Sequence, residues 1–109
     1  MTNIVCEFDH GNMVAITVSG HSGYGVKGSD IVCAGISALI QALAIGLEEV
    51  LRLKNVESIF RDNVEEPIIS IRFPISDEKA EILTKTVFLS LMEIAKAYPD
   101  NVRITEVQK

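Results

Sequence analysis

Cysteine is scarce in this chain, and its scarcity excludes one class of protein. The two cysteines among 109 residues, Cys6 and Cys33, are too few for the disulfide framework that holds small secreted domains together. The N-terminus also lacks a basic segment followed by an apolar one, so the sequence predicts no secretory signal. These two features predict a reduced, cytoplasmic location.

Positive charge is scarce as well. Ten Lys and Arg stand against fifteen Asp and Glu, and the net charge is −5, the wrong sign for neutralising nucleic-acid phosphates. The sequence has no cluster of basic residues interleaved with aromatic ones. We therefore expect no direct contact with nucleic acid, whereas an acidic surface is compatible with a basic protein partner.

Motifs for metals and cofactors are missing too. The two histidines and two cysteines show none of the Cys-x-x-Cys or His-x-x-x-His spacings of zinc sites. The glycine-rich residues 20–28 match neither the Walker pattern nor the dinucleotide-binding pattern. The sequence predicts no metal and no cofactor.

One apolar segment, residues 31–47, just reaches the length of a membrane-spanning helix. Ser37 and Gln41 interrupt it, and acidic residues flank it on both sides, where membrane spans more often carry Lys, Arg or aromatic residues. We therefore predict a buried helix without membrane contact. Because it is apolar almost all round, we expect other parts of the fold, or another subunit, to cover more than one of its sides.

The chain is of a size for one domain, 1–109, and has no internal repeat and no linker rich in Pro or Ser. Apolar alternation predicts strands at 4–8, 14–18, 56–60, 68–73 and 102–107. Helical signals predict one helix from Asp30 to about Leu53, and a second that is capped by Ser76 and stopped by Pro99. This order predicts an α+β fold, a two-layer sandwich of a mixed, mostly antiparallel sheet with two helices.

Cys33 is the candidate nucleophile because it falls in the first turn of the first helix, whether Ser29 or Asp30 caps that helix. Unpaired backbone N–H groups and the positive end of the helix dipole favour an anion there, such as a thiolate. They are also candidates for an oxyanion hole. His21 is the candidate base, since the glycine-rich loop can fold back and bring it to Cys33. By spacing alone the alternatives stay open, because a lone Cys near a helix start is more often a small core residue and a lone His beside a strand more often an inert loop residue.

Two further residues could support this pair. Asp30 could cap the helix by accepting the N–H of Val32 or Cys33, or could orient His21. Ser37 shares a helix face with Cys33 and could steady the thiolate or a substrate carbonyl, or bond to the Cys33 backbone.

The remaining candidates belong to the loop and to the first hairpin. The loop residues that we expect to form or line a substrate-binding segment are Gly20, Gly23, Tyr24, Gly25, Lys27 and Gly28. Cys6 alternates with Ile4 and Phe8 on an apolar strand face, so we interpret it as a buried core thiol. His10 is interpreted as a turn residue.

Residues 20–39, GHSGYGVKGSDIVCAGISAL, resemble the signature of the ribosomal-processing cysteine protease family, and a looser resemblance covers essentially the whole chain. The resemblance implies that Cys33 is the nucleophile, that His21 is the general base, and that the protein is a small homodimer. It also implies cleavage of an N-terminal extension from a large-subunit ribosomal protein precursor, after a pair of aromatic residues. Residues 26–29 depart from the relatives, which leaves the substrate preference of the loop open.

Two other hypotheses stay open at this point. One is a non-catalytic module that binds a ribosomal protein or an assembly intermediate through the loop. The other is a redox sensor in which Cys33 is oxidised reversibly.

Overall fold

The seven predicted elements form in the predicted order in the computed structural model, which describes residues 1–20, 30–61, 68–74 and 77–109. The strands are β1 (Thr2–Asp9), β2 (Asn12–Ser19), β3 (Glu57–Arg61), β4 (Ile68–Arg72) and β5 (Val102–Gln108). The helices are α1 (Ile31–Ile45), which continues into a π-helical turn at Gly46–Val50, and α2 (Glu78–Ala97).

The strands form one sheet in the order β3-β4-β2-β1-β5. Three of the four strand pairs are antiparallel, and β1 and β5 pair in parallel. The parallel pair arises because α2 carries the chain back across the sheet before β5 begins. The predicted α+β sandwich with a mixed, mostly antiparallel sheet is confirmed, and the strand order is new information.

The first hairpin turns at His10 and Gly11, whose φ angles of 51° and 83° are both left-handed. Two such residues between paired strands make a type I′ turn, the geometry that suits the twist of a hairpin. Asp9 and Asn12 pair across this turn. The prediction of a turn at His10 is therefore confirmed.

The core lies between one face of the sheet and the two helices. Alternate residues of β1 and β2 point into the core from the sheet, and residues of α1 and α2 pack against them from the opposite side. Its largest fully buried apolar side chains are Ile4, Ile16, Ile36, Ile40, Leu43, Leu47, Ile71, Leu91 and Cys6. Complete burial of a side chain of this size contributes about 1.5–3 kcal/mol.

Helix α1 is covered on two sides, as its composition predicts. One side packs on the sheet, and the next packs on α2, where Gly35 lies 3.8 Å from Ile94 Cδ1 and Gly46 leaves no space for a Cβ beside Leu83. The helical stretch Ile31–Val50 has a mean hydropathy of 1.9, so length and composition alone would allow it to span a membrane. One third of its most apolar window is buried in the fold, so the absence of membrane contact stays a prediction.

Both helices differ from the predictions at one end. The first ends at Val50, three residues before the predicted end, because Arg52 has a left-handed φ of 53° that helix geometry does not allow. The cap of the second is Asp77 and not Ser76, since the Asp77 carboxylate accepts the N–H of Lys79 at 2.8 Å and of Ala80 at 3.3 Å.

Candidate active site

Cys33 lies in the first turn of α1, and Asp30 fixes the position of that turn. Oδ1 of Asp30 accepts the N–H of Val32 at 2.9 Å and the N–H of Cys33 at 3.1 Å. The prediction that Asp30 caps the helix is therefore confirmed. Its second predicted role, orientation of His21, concerns a residue outside the described part of the chain and stays a prediction.

The same bonds bear on the predicted oxyanion hole. Because Asp30 engages the N–H groups of Val32 and Cys33 in this structure, a substrate oxyanion would have to replace the carboxylate oxygen as their acceptor. A carboxylate at a helix N-terminus also takes up the favourable interaction with the helix dipole that an oxyanion or a thiolate would receive. In this structure the N–H groups of Val32 and Cys33 therefore already donate hydrogen bonds to Asp30.

The Cys33 thiol has a neighbour that the sequence did not suggest. Oγ1 of Thr2 lies 3.8 Å from Sγ of Cys33, within hydrogen-bond range for sulfur, and Thr2 is only 1% exposed. The Thr2 backbone is held in place by its N–H, which donates to the carbonyl of Asn101 at 2.9 Å. The two side chains are 31 residues apart in sequence, so only the folded sheet brings them together.

Gly20, the first of the predicted loop residues, directly follows β2. Its φ is +84°, and a Cβ built on it would lie 2.5 Å from the carbonyl oxygen of Met1. Both features require glycine at this position. Of the other predicted site residues, His21, Gly23, Tyr24, Gly25, Lys27 and Gly28 lie outside the described residues, so their roles stay predictions.

A groove of about 720 Å³ runs from Cys33 along the side of α1 that faces away from α2. Its wall is the helix side that carries Cys33, Ser37, Gln41 and Glu48, which recur at helical spacing. Ser37 Oγ accepts a hydrogen bond from Gln41 Nε2 at 2.8 Å, so within the described chain this hydroxyl bonds a side chain and not the Cys33 backbone. The prediction that Ser37 shares a face with Cys33 is confirmed.

The floor of this groove is formed by one row of residues across three strands. Val18 on β2 is the register partner of Ile69 on β4, and Ile69 is the partner of Phe60 on β3. The three side chains point to the helix side of the sheet, and Phe60, on the edge strand β3, is half exposed. Periodicity could not have placed Phe60 in the site, since its neighbours come from distant segments.

The two thiols differ in their surroundings. Cys6 is fully buried in the core, as predicted, and burial, with a smaller contribution from Glu106, raises its pKa to about 12. Cys33 is only partly buried and lines the groove. A thiol that is accessible at the end of an apolar groove can attack a bound carbonyl, whereas a fully buried one cannot.

Comparison with known proteins places these features in one family. A family model described as "Cysteine protease Prp" matches residues 1–103. The Ribosomal processing cysteine protease Prp of Bacillus subtilis is 26% identical over 98 residues, which are 85% of this chain and 85% of that protein. The protein of the same name from Staphylococcus aureus strain Mu50 is 27% identical over 106 residues, 88% of this chain and 89% of its own.

Solved structures agree with this comparison. The S. aureus protease Prp in complex with a covalently linked product peptide superposes with a TM-score of 0.84 at 25% identity, covering 97% of this chain and 99% of that one. A Streptococcus mutans crystal structure superposes with a TM-score of 0.86 at 25% identity, covering 100% of this chain and 96% of the other.

Proposed function

This chain belongs to the Prp cysteine protease family, and from that premise we propose that it removes the N-terminal extension of a large-subunit ribosomal protein precursor, cutting after a pair of aromatic residues. The single observation that carries the proposal is the accessible thiol of Cys33 at the end of a groove with an apolar floor. Relatives from B. subtilis and S. aureus are named ribosomal processing proteases, which supports the substrate class.

The proposed mechanism is nucleophilic catalysis by Cys33 with His21 as the general base. His21 takes the proton of the thiol, and Sγ attacks the scissile carbonyl carbon to give a tetrahedral intermediate. The C–N bond then breaks as His21 returns the proton to the leaving amine, which leaves a thioester on Cys33. Water, deprotonated by His21, cleaves the thioester, releases the carboxylate product and restores the thiol.

Two observations support Cys33 in this role. Its position in the first helical turn is fixed by the Asp30 cap, so the thiol has a defined place relative to the groove. The Thr2 hydroxyl, 3.8 Å from Sγ, supplies a polar neighbour for the sulfur. Thr2 is therefore a candidate positioning residue for the thiol.

The test is incubation of the purified protein with the extended precursor, followed by mass spectrometry. We expect the precursor to lose its extension at one bond, and Cys33→Ala and His21→Ala each to abolish the loss. Cys6→Ala serves as the matched control, since it removes the other thiol but lies in the core away from the groove. Cleavage at the same bond by Cys33→Ala would overturn the assignment.

Family membership argues against the non-catalytic binding module. A redox sensor would show reversible oxidation of Cys33 without proteolysis, and the same precursor assay would expose that result.

We further propose that the protein is a cytoplasmic homodimer that contacts neither nucleic acid nor a membrane directly. The solvent-facing side of α1 supports the dimer because Ile31 is 59% exposed and Ala34 and Ala38 on the same side are exposed as well. The net charge of −5 argues against nucleic acid. Size-exclusion chromatography with light scattering is expected to give twice the chain mass of 11.9 kDa; a monomer would contradict the proposal.

A further inference from the structure

Two threonines are the buried polar residues of the described chain: Thr2 is 1% exposed and Thr84 is 5% exposed. Thr84 satisfies its hydroxyl within its own helix, since Oγ1 donates to the carbonyl of Glu81 at 3.2 Å. The hydroxyl of Thr2 lies instead 3.8 Å from Sγ of Cys33. A buried hydroxyl without a hydrogen-bond partner destabilises a fold. Among the described residues, the sulfur of Cys33 is the side-chain atom placed to be that partner.

The position of the Thr2 hydroxyl is fixed by the chain segments around it. The N–H of Thr2 donates to the carbonyl of Asn101 at 2.9 Å, and Thr2 is the register partner of Val102 on β5. A Cβ built on Gly20 would lie only 3.9 Å from the Cα of Thr2. Because threonine is β-branched, its χ1 angle also has few accessible rotamers. The hydroxyl is therefore held beside the thiol with little conformational freedom left to lose.

The direction of this contact depends on the charge of the sulfur. While Cys33 is a thiol, either atom can be the donor. A thiolate has no proton to donate, so the hydroxyl of Thr2 is then the donor. A hydrogen bond to the charged form of a group favours that form, and the thiolate is the nucleophilic form of cysteine. The nearby N–H groups of Val32 and Cys33 already donate to the Asp30 carboxylate, which makes a neutral side-chain donor valuable here.

We propose that Thr2 is a positioning residue whose hydroxyl donates to the Cys33 thiolate and stabilises this anion before a substrate binds. The inference deepens the proposed function and rests on it, because it requires Cys33 to be the nucleophile. A larger thiolate fraction near neutral pH speeds the attack of Sγ on the scissile carbonyl. A fixed donor also restricts the rotamers of the Cys33 side chain. Thr2 thus joins two segments of the site, since it contacts Cys33 and lies against Gly20, the residue before His21.

The test is the pH dependence of the rate at which iodoacetamide alkylates Cys33 in the free protein, read by peptide mapping so that Cys6 is counted separately. Thr2→Val keeps the shape of the side chain and removes the hydroxyl. We expect the pH of the half-maximal rate to rise by about 0.5–1 unit, the effect of one hydrogen bond. The rate near neutral pH should fall about two- to fourfold, because a more basic thiolate is also more nucleophilic and offsets part of the loss. At alkaline pH the variant should react at least as fast as the wild type.

Two further variants separate the hydroxyl from the packing of the side chain. Thr2→Ser keeps the donor and removes a buried methyl group, so we expect the wild-type pH profile together with a lower stability in urea. Thr84→Val is the matched control, because it makes the same change at the other buried threonine, and it should leave the profile unshifted. A packing role predicts the reverse order, with serine more disturbing than valine. An unshifted profile in Thr2→Val, or an equal shift in Thr2→Ser, would overturn the proposal.

A measurement on the wild-type protein covers the case in which Thr2→Val does not fold. The NMR chemical shift of Thr2 Cβ is expected to titrate with the same midpoint as the alkylation of Cys33, and to lose this titration in Cys33→Ala. A shift that does not titrate would overturn the proposal. Cleavage of the precursor is scored separately: its absence in the wild type would refute the proposed protease, whereas the alkylation profiles decide whether Thr2 acts on the thiol.

Discussion

Gly20→Ala is the substitution for which the structure gives the clearest expected cost. The left-handed φ of +84° costs a residue with a Cβ about 1–2 kcal/mol. The new Cβ would also lie 2.5 Å from the carbonyl oxygen of Met1, and the adjacent Thr2 backbone is tied to Asn101. The backbone shift that is needed to remove this clash costs about 1–3 kcal/mol more. We therefore expect a loss of about 2–5 kcal/mol in the free energy of unfolding, measured by urea denaturation.

Gly11→Ala is a matched control within the same hairpin. Its φ is +83°, so the backbone cost is the same, but no atom of the described chain lies within 4 Å of the added Cβ. We expect a loss of only about 1–2 kcal/mol. The difference between the two variants measures the contact with Met1 alone. Equal losses in both variants would refute the reasoning that Gly20 is required by a close backbone approach.

Three further predictions concern the thiols, the core and a surface charge. Iodoacetamide at neutral pH is expected to modify Cys33 and not Cys6, whose burial raises its pKa to about 12; peptide mapping that finds modified Cys6 in folded protein would contradict this. Leu91→Ala should lower the free energy of unfolding by about 2–5 kcal/mol, because Leu91 is fully buried, and a smaller loss in urea would mean that the core closes over the cavity. The hydrogen bond from Lys109 lowers the pKa of Glu7 in the folded protein, so the stabilisation by the charged Glu7 is present above the unfolded-state pKa of about 4.3 and is lost as the pH falls through the lower folded-state pKa. The difference in unfolding free energy between the wild type and Glu7→Gln should therefore shrink in acid, and a difference that stays constant with pH would refute the linkage.

The sequence was informative wherever neighbours along the chain decide the structure. The hairpin turn at His10 and Gly11, the Asp30 cap and the position of Cys33 in the first helical turn are all local, because hydrogen bonds across two to four residues fix them. The Ser76 cap was the local error. Ser76 and Asp77 are adjacent candidates of similar capping strength, and the sequence offers no way to rank them.

The sequence by itself determined the order of the elements, the core position of Cys6 and the place of Cys33 in the first turn of the first helix. Only the tertiary structure decided that β5 lies beside β1, that Thr2 lies 3.8 Å from the thiol, and that Phe60 lies at the floor of the groove. The physical reason is that periodicity assigns a residue to a face of its own strand or helix, whereas strand order decides which faces meet. A substrate groove lies between elements, so it exists only once they are assembled.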